Sequence, residues 1–362
     1  MKIVHIIDSL SIGGAEKLIR EIVPLQVADG LKVDVILLNG VRTHLYDELE
    51  SLECCKIYSL SNSFYNPLNI FKLIPFLKQY DLAHVHLFPA QYYAVFAKIF
   101  GFSKVKLIFT EHNTVNRRLN NYFFRRIDQF VNRFYCKIIC ITPEVMNIMM
   151  NSYSYPKDKL ITILNGVNVE LILNKKGHCR SDFGFLESDV LLVMVAAFRT
   201  QKDQDTVIKT LKKLPENFKL ILVGDGERKN ELTDLCYREK IKHRVFFLGN
   251  RGDVYNILKM CDISILSSHW EGFGLVAIES LACKIPLIIS NVEGLSQVVE
   301  DKALKFEIEN SNQLYEKIID IIKMPTKLRE ELVCGGIEHA YKYDLKNNID
   351  SLKKLYLEIL NK

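Results

Sequence analysis

Short runs of β-branched and other apolar residues alternate with amphipathic stretches from the first residue, and the series occurs twice. Ile3 to Ile7, Val33 to Leu38, Leu82 to His86, Val105 to Phe109 and Ile138 to Ile141 make the first series. Val190 to Ala196, Leu220 to Val223, Val245 to Leu248, Ile263 to Leu266 and Leu287 to Ile289 make the second. A brief uninterrupted apolar run between helical stretches is the pattern of a strand buried on both faces of a parallel sheet. Parallel strands need long crossovers, and segments such as Ala15 to Ala28, Leu68 to Gln79, Ala90 to Ile99 and Glu144 to Met150 have the helical spacing to supply them. The chain is therefore expected to be α/β, with two Rossmann-like doubly wound domains.

The pattern pauses between about 165 and 188, where Asn165-Gly-Val-Asn leads into the polar stretch Asn174 to Arg180. A single core stops growing at roughly 250–300 residues, so 362 residues favour two domains. We expect a first domain over 1–168 and a second over 169–343. A final helix within 344–362 is expected to pack back on the first domain. Open α/β sheets bind ligands outside the carboxyl ends of their strands, so the two halves are expected to face each other across a cleft that holds the site.

Composition excludes several classes. With 48% apolar and 25% charged residues the chain is neither disordered nor collagenous. The nine cysteines show no CxxC pair and no Cys/His zinc spacing, which reads as reduced thiols in the cytosol. Met1-Lys-Ile-Val-His-Ile-Ile reads directly as a strand rather than an export signal. No run approaches the roughly 20 apolar residues of a membrane span.

Four sequence features carry chemistry. Gly13 and Gly14 follow the first strand and open a helix, where close backbone approach and exposed N–H groups suit an anion. The dinucleotide fingerprint GxGxxG is absent there, which disfavours a nicotinamide enzyme. In Trp270-Glu-Gly-Phe-Gly-Leu-Val-Ala-Ile-Glu, Glu271 precedes a helix and Glu279 lies two turns along it. The two carboxylates cannot share one metal, but they can reach different hydroxyls of an elongated ligand whose phosphates meet Gly272, Phe273, Gly274 and Leu275. Arg199 and Lys202 follow a strand and can neutralise such phosphates, and Asn250 with Arg251 follows another. Asp203-Gln-Asp205 spells the DxD string of metal-dependent transferases, but its place at a helix start argues for capping.

The Glu271/Glu279 spacing, the Gly13-Gly14 turn, Thr110-Glu-His112 and Asn165-Gly-Val together resemble the retaining glycosyltransferases of family four, which have the GT-B fold. The likeness runs over nearly the whole chain and has a surface-polysaccharide character. It implies a nucleotide-diphosphate sugar, UDP- or GDP-linked, held mainly by the second domain with its base near Asn250 and Arg251, an acceptor held mainly by the first domain, and no metal or other cofactor. It also implies that Glu279 binds ribose, Glu271 and His112 contact the transferred sugar, and Gly14 lies near the diphosphate. Many family members carry an arginine where this chain has Ala197, so Arg199 and Lys202 are the substitutes. The implied reaction moves a hexose or amino-hexose to a hydroxyl of a glycan or lipid-linked glycan. A nucleotide-sugar epimerase of the same fold and a silent nucleotide-sugar-binding subunit are the alternatives.

The net charge of +5 lies wholly in the first half, with 19 basic against 14 acidic residues over 1–168 and 29 of each beyond. Arg117, Arg118, Arg125, Arg126 and Arg133 are interleaved with aromatics, and Asp128 is the one acid between Asn116 and Lys137. Such a segment suits an anionic membrane interface on the cytoplasmic side. No nucleic-acid-binding motif is present. His84 and His86 alternate on one strand and share a face, so both are read as acceptor-side or structural histidines, and no third ligand of suitable spacing makes them a metal site.

Overall fold

The computed structural model describes residues 1–11, 13–112, 122–153, 155, 156 and 158–361. The chain divides into two compact units, Met1–Gly166 with Leu345–Lys362, and Val167–Asp344.

The first unit is built on strands β1 (Lys2–Ile7), β2 (Lys32–Asn39), β3 (Ile57–Ser61), β4 (Leu82–His86), β5 (Lys106–Glu111), β6 (Tyr135–Cys140) and β7 (Leu160–Thr162). They pair in the order β3-β2-β1-β4-β5-β6-β7, every ladder parallel. The chain thus runs outward from β1, then returns to its other side at β4, and the β1/β4 boundary is the switch point. Helix Gly14–Ala28 buries Leu18, Ile19, Ile22, Val23 and Gln26, a stripe at helical spacing. Helix Leu345–Leu360 repeats the logic with Leu345, Ile349, Leu352, Leu355 and Ile359, which join the same core as β1. Full burial of each such side chain is worth about 1.5–3 kcal/mol, which holds a chain terminus in place.

The second unit holds β8 (Val190–Val195), β9 (Phe218–Val223), β10 (Val245–Gly249), β11 (Ile263–Leu266), β12 (Leu287–Ser290) and β13 (Leu304–Phe306). Their order is β10-β9-β8-β11-β12-β13, again wholly parallel, with its switch point between β8 and β11. Strands β3, β7 and β13 are additions to those expected from apolar runs. All three lie at sheet edges, and β7 and β13 have only three residues each, so they lack a continuous apolar signature. Among the described residues no helix is long and apolar enough to cross a membrane.

Candidate active site

The second unit's switch point brings together the loops after β8 and β11. Ser267 Oγ donates to the carbonyls of Lys202 at 3.1 Å and Asp203 at 2.7 Å, His269 N–H donates to Gln201 O at 2.8 Å, and Gln201 Nε2 donates to Trp270 O at 2.7 Å. These bonds stitch the loops so that Lys202 Nζ donates to Glu271 Oε1 in a close ion pair. Ser268 Oγ donates to the same carboxylate oxygen at 2.8 Å, and Ser290 Oγ in turn holds Ser268 O at 2.6 Å. Glu271 is only 8% exposed, so a cation and a hydroxyl offset the loss of water around its charge.

Helix Leu275–Ala282 starts after Gly272, Phe273 and Gly274, so Glu279 lies about one turn along it rather than the two expected. Gly274 caps it at φ +74°, and a Cβ there would lie 2.3 Å from Leu295 Cδ2, so both backbone and space demand glycine. Phe273 is buried edge-on against Tyr343, which fixes the loop above the helix start. Glu279 is buried on this helix and accepts from Tyr255 Oη at 3.5 Å. The start of helix Leu275–Ala282, Lys202 and two carboxylates therefore gather at the same switch point.

Arg199 is exposed in the loop after β8. Asp203 is a helix cap, accepting from Thr206 N–H at 3.3 Å, while Asp205 takes both arms of Arg228 at 2.6 and 3.0 Å, so the DxD string is structural. The glycines of Gly224-Asp-Gly226 serve close packing: a Cβ would lie 2.1 Å from Ala196 O at the first and 2.6 Å from Phe198 O at the second. Asn250 is exposed after the edge strand β10. Arg251 is held by Asp253 at 2.8 and 2.6 Å, and His178 at 2.7 Å completes that cluster. Arg251 and then His178 hold the Asp253 carboxyl down at about 2.

In the first unit, Gly13 and Gly14 begin helix Gly14–Ala28 beside the β1/β4 switch point. His112 follows β5 and is partly buried, and burial pushes its pKa down to about 4, so the ring is neutral at pH 7. His84 and His86 do share a face, and of the acceptor-side and structural readings their surroundings fit the structural one: both are buried in β4, and every ring nitrogen is bonded within the protein. The missing third histidine is His5, paired with His84 across the β1/β4 ladder. Ligand atoms of His5, His84 and His86 lie within 4.8 Å of one another. His5 bonds His86 at 3.0 Å and Gln26 at 2.9 Å, so the six ring nitrogens already hold hydrogen bonds. Parallel pairing, invisible in a linear spacing rule, puts His5 there.

Helix Tyr122–Asn132 exposes Phe124, Arg125, Arg126 and Phe130, and turns Asp128 inward to Tyr92 at 2.5 Å and Tyr153 at 2.8 Å. Its described outer face is thus basic and aromatic. Arg117 and Arg118 lie outside the described residues.

The family model for glycosyl transferases group 1 matches residues 178–339, and that for glycosyltransferase family 4 matches residues 12–171. The chain belongs to the group 1 and family 4 glycosyltransferases. Its architecture is the GT-B fold. A glycosyltransferase of Methanocaldococcus jannaschii, MJ1178, is 32% identical over 227 residues, 62% of this chain and 60% of that protein, so this match spans about three fifths of the relative. An N-acetylgalactosaminyltransferase of Campylobacter jejuni, acting on N-acetylgalactosamine-N,N'-diacetylbacillosaminyl-diphospho-undecaprenol, is 26% identical over 96% of this chain and 98% of its own. The Anabaena protein HepE, solved with UDP-glucose, superposes with a TM-score of 0.86 at 20% identity, over 99% of this chain and 100% of that one.

Proposed function

We propose that this glycosyltransferase is a retaining enzyme that moves a hexose or amino-hexose from a nucleotide-diphosphate sugar to a hydroxyl of a lipid-linked glycan, in cell-surface polysaccharide synthesis. The observation that carries the reading is the Lys202–Glu271 pair beside the Gly274-capped helix that bears Glu279. Breaking a glycosidic bond to a diphosphate develops negative charge on the leaving group. Lys202, Arg199 and the N–H groups at the start of helix Leu275–Ala282 are the groups that stabilise it, and no metal is called on.

In this reading the diphosphate takes Lys202 from Glu271, and Glu271 turns its freed oxygen to a hydroxyl of the transferred sugar. Glu279 accepts from the ribose hydroxyls, and Gly13 and Gly14 approach the diphosphate. His112 meets a sugar hydroxyl as a neutral ring. Asn250 stands for the base contacts, while Arg251 positions that loop through Asp253. The acceptor hydroxyl attacks from the face the leaving group departs, and a diphosphate oxygen takes its proton. UDP is favoured as the nucleotide, since HepE was solved with UDP-glucose and a 26% identical Escherichia coli relative is a UDP-galactose transferase acting on a diphosphoundecaprenol-linked sugar. The exposed arginines and aromatics of helix Tyr122–Asn132 suit the inner face of an anionic membrane, where such acceptors reside.

The test is a screen of UDP-, GDP- and ADP-sugars by thermal shift, followed by transfer to a lipid-diphosphate-linked sugar with the anomeric configuration of the product read by NMR. A cognate donor at 100 times its Kd should stabilise by about 2.7 kcal/mol. Full donor affinity and turnover in both Glu279→Ala and Lys202→Ala would remove the site assignment. An inverted product would remove retention.

A further inference from the structure

Four buried or partly buried histidines stand in the first unit, with no acidic partner among the described residues in their hydrogen-bond chain. Three of them form a line across adjacent strands: His5 on β1, His86 on β4 and His112 after β5. His112 Nε2 lies 3.2 Å from His86 Nδ1, His86 Nε2 lies 3.0 Å from His5 Nδ1, and His5 Nε2 lies 2.9 Å from Gln26 Oε1. We propose that Gln26, His5 and His86 are positioning residues that fix which nitrogen of His112 carries its proton, leaving His112 Nδ1 bare to accept from a ligand hydroxyl.

The proton count follows from the chemistry of neutral imidazole, in which one ring nitrogen donates and the other accepts. Gln26 presents its carbonyl oxygen, which only accepts, so His5 carries its hydrogen on Nε2 and accepts at Nδ1. His86 must then donate from Nε2 and accept at Nδ1. His112 in turn must donate from Nε2, and its Nδ1 has no partner among the described residues. The polarity at one end of the line thus sets the tautomer at the other. Burial pushes His5 down to about 4 and His84 and His86 well below their usual value, so a second proton does not enter the line at neutral pH.

Tyr356, from the C-terminal helix, fixes the end that starts the count. Gln26 Nε2 donates to Tyr356 Oη at 3.4 Å, which turns the carbonyl of Gln26 toward His5. His84 Nδ1 bonds Tyr356 Oη at 2.7 Å, and His84 Nε2 bonds Thr110 Oγ1 at 2.6 Å. Reversing the line requires the Gln26 amide to swap ends and the ring hydrogens of His5, His86 and His112 all to move. The segment that closes the first unit thereby reaches the histidine assigned to the sugar.

The contact with a sugar hydroxyl rests on the proposed transferase reading, but the tautomer is measurable without it. Long-range ¹H–¹⁵N spectra of histidine-labelled full-length protein near pH 7.5 should show His112 with a protonated Nε2 and an unprotonated Nδ1. Tyr356→Phe keeps the ring and releases Gln26, and Gln26→Leu removes the terminal acceptor. Either variant that retains the fold should give a mixed His112 tautomer and raise the donor KM by about fivefold at unchanged kcat, the worth of one neutral hydrogen bond. A protonated Nδ1 on His112 in the native protein would overturn the relay. So would a pure, unchanged His112 signature in both variants, or one zinc bound per chain through the ring nitrogens of His5, His84 and His86. A native protein with the expected spectrum but no transfer would sink the transferase reading alone. Transfer with the opposite tautomer would sink the relay alone.

Discussion

Replacing Lys202 by methionine should unsettle the second unit before any ligand is added. The Lys202 side chain is 20% exposed and that of Glu271 is 9% exposed, so the pair is mostly withdrawn from water. Removing one partner of a fully buried pair costs about 3–5 kcal/mol, because the remaining charge is stranded. Here Ser268 still donates to Glu271 at 2.8 Å, and the rim of the pair is wet. The loss should therefore be nearer the worth of one charged hydrogen bond, about 2 kcal/mol. For a unit of roughly 150–250 residues that lowers Tm by about 4–8 °C. In the double variant Lys202→Met/Glu271→Gln no charge is stranded, and the Gln carbonyl can still accept from Ser268. More than half of the lost stability should return. Urea and thermal unfolding of the four proteins, followed by circular dichroism, close the double-mutant cycle. Additivity within about 0.5 kcal/mol would mean that the two residues do not interact, and the reasoning from the ion pair would fail. If Lys202 meets the diphosphate as proposed, UDP-sugar stabilisation should fall in both variants that lack the lysine.

Gly274→Ala should cost about 2–4 kcal/mol in urea unfolding, from a left-handed residue and a Cβ driven into Leu295, and a loss under 1 kcal/mol would refute the geometric demand. His5 has its pKa lowered by burial from 6.5 to about 4, so the unfolded chain binds the extra proton between those values and stability must fall as pH drops from about 6.5 toward 4. That slope should flatten in His5→Phe where this variant folds, and an equal slope in native and variant protein would contradict the assignment. Arg125→Glu with Arg126→Glu should weaken binding to phosphatidylglycerol vesicles by at least about 30-fold, from about 1 kcal/mol for each basic residue lost. Unchanged vesicle cosedimentation would leave those arginines as solubilising charge.

The sequence by itself determined both sheets, because a strand buried on two faces has to be apolar along its length, and β1, β4, β8 and β11 announce themselves that way. It also determined the glycines that lead into the helix carrying Glu279, since a tight turn at a helix start is a local demand, but not that helix's first residue, which leaves Glu279 about one turn along it. Edge strands such as β13 escaped because half of a short edge faces water. Tertiary structure alone decided partners. Lys202 and Glu271 lie on loops after different strands, and only the β8/β11 switch point, with Ser267 and Gln201 stitching across it, sets them face to face. His5 reads as an ordinary strand residue until parallel pairing sets it against His84, and Tyr356 enters the same network from the far end of the chain. Local geometry is written in neighbouring residues, whereas a hydrogen bond between distant segments depends on strand order and register, which no local pattern encodes.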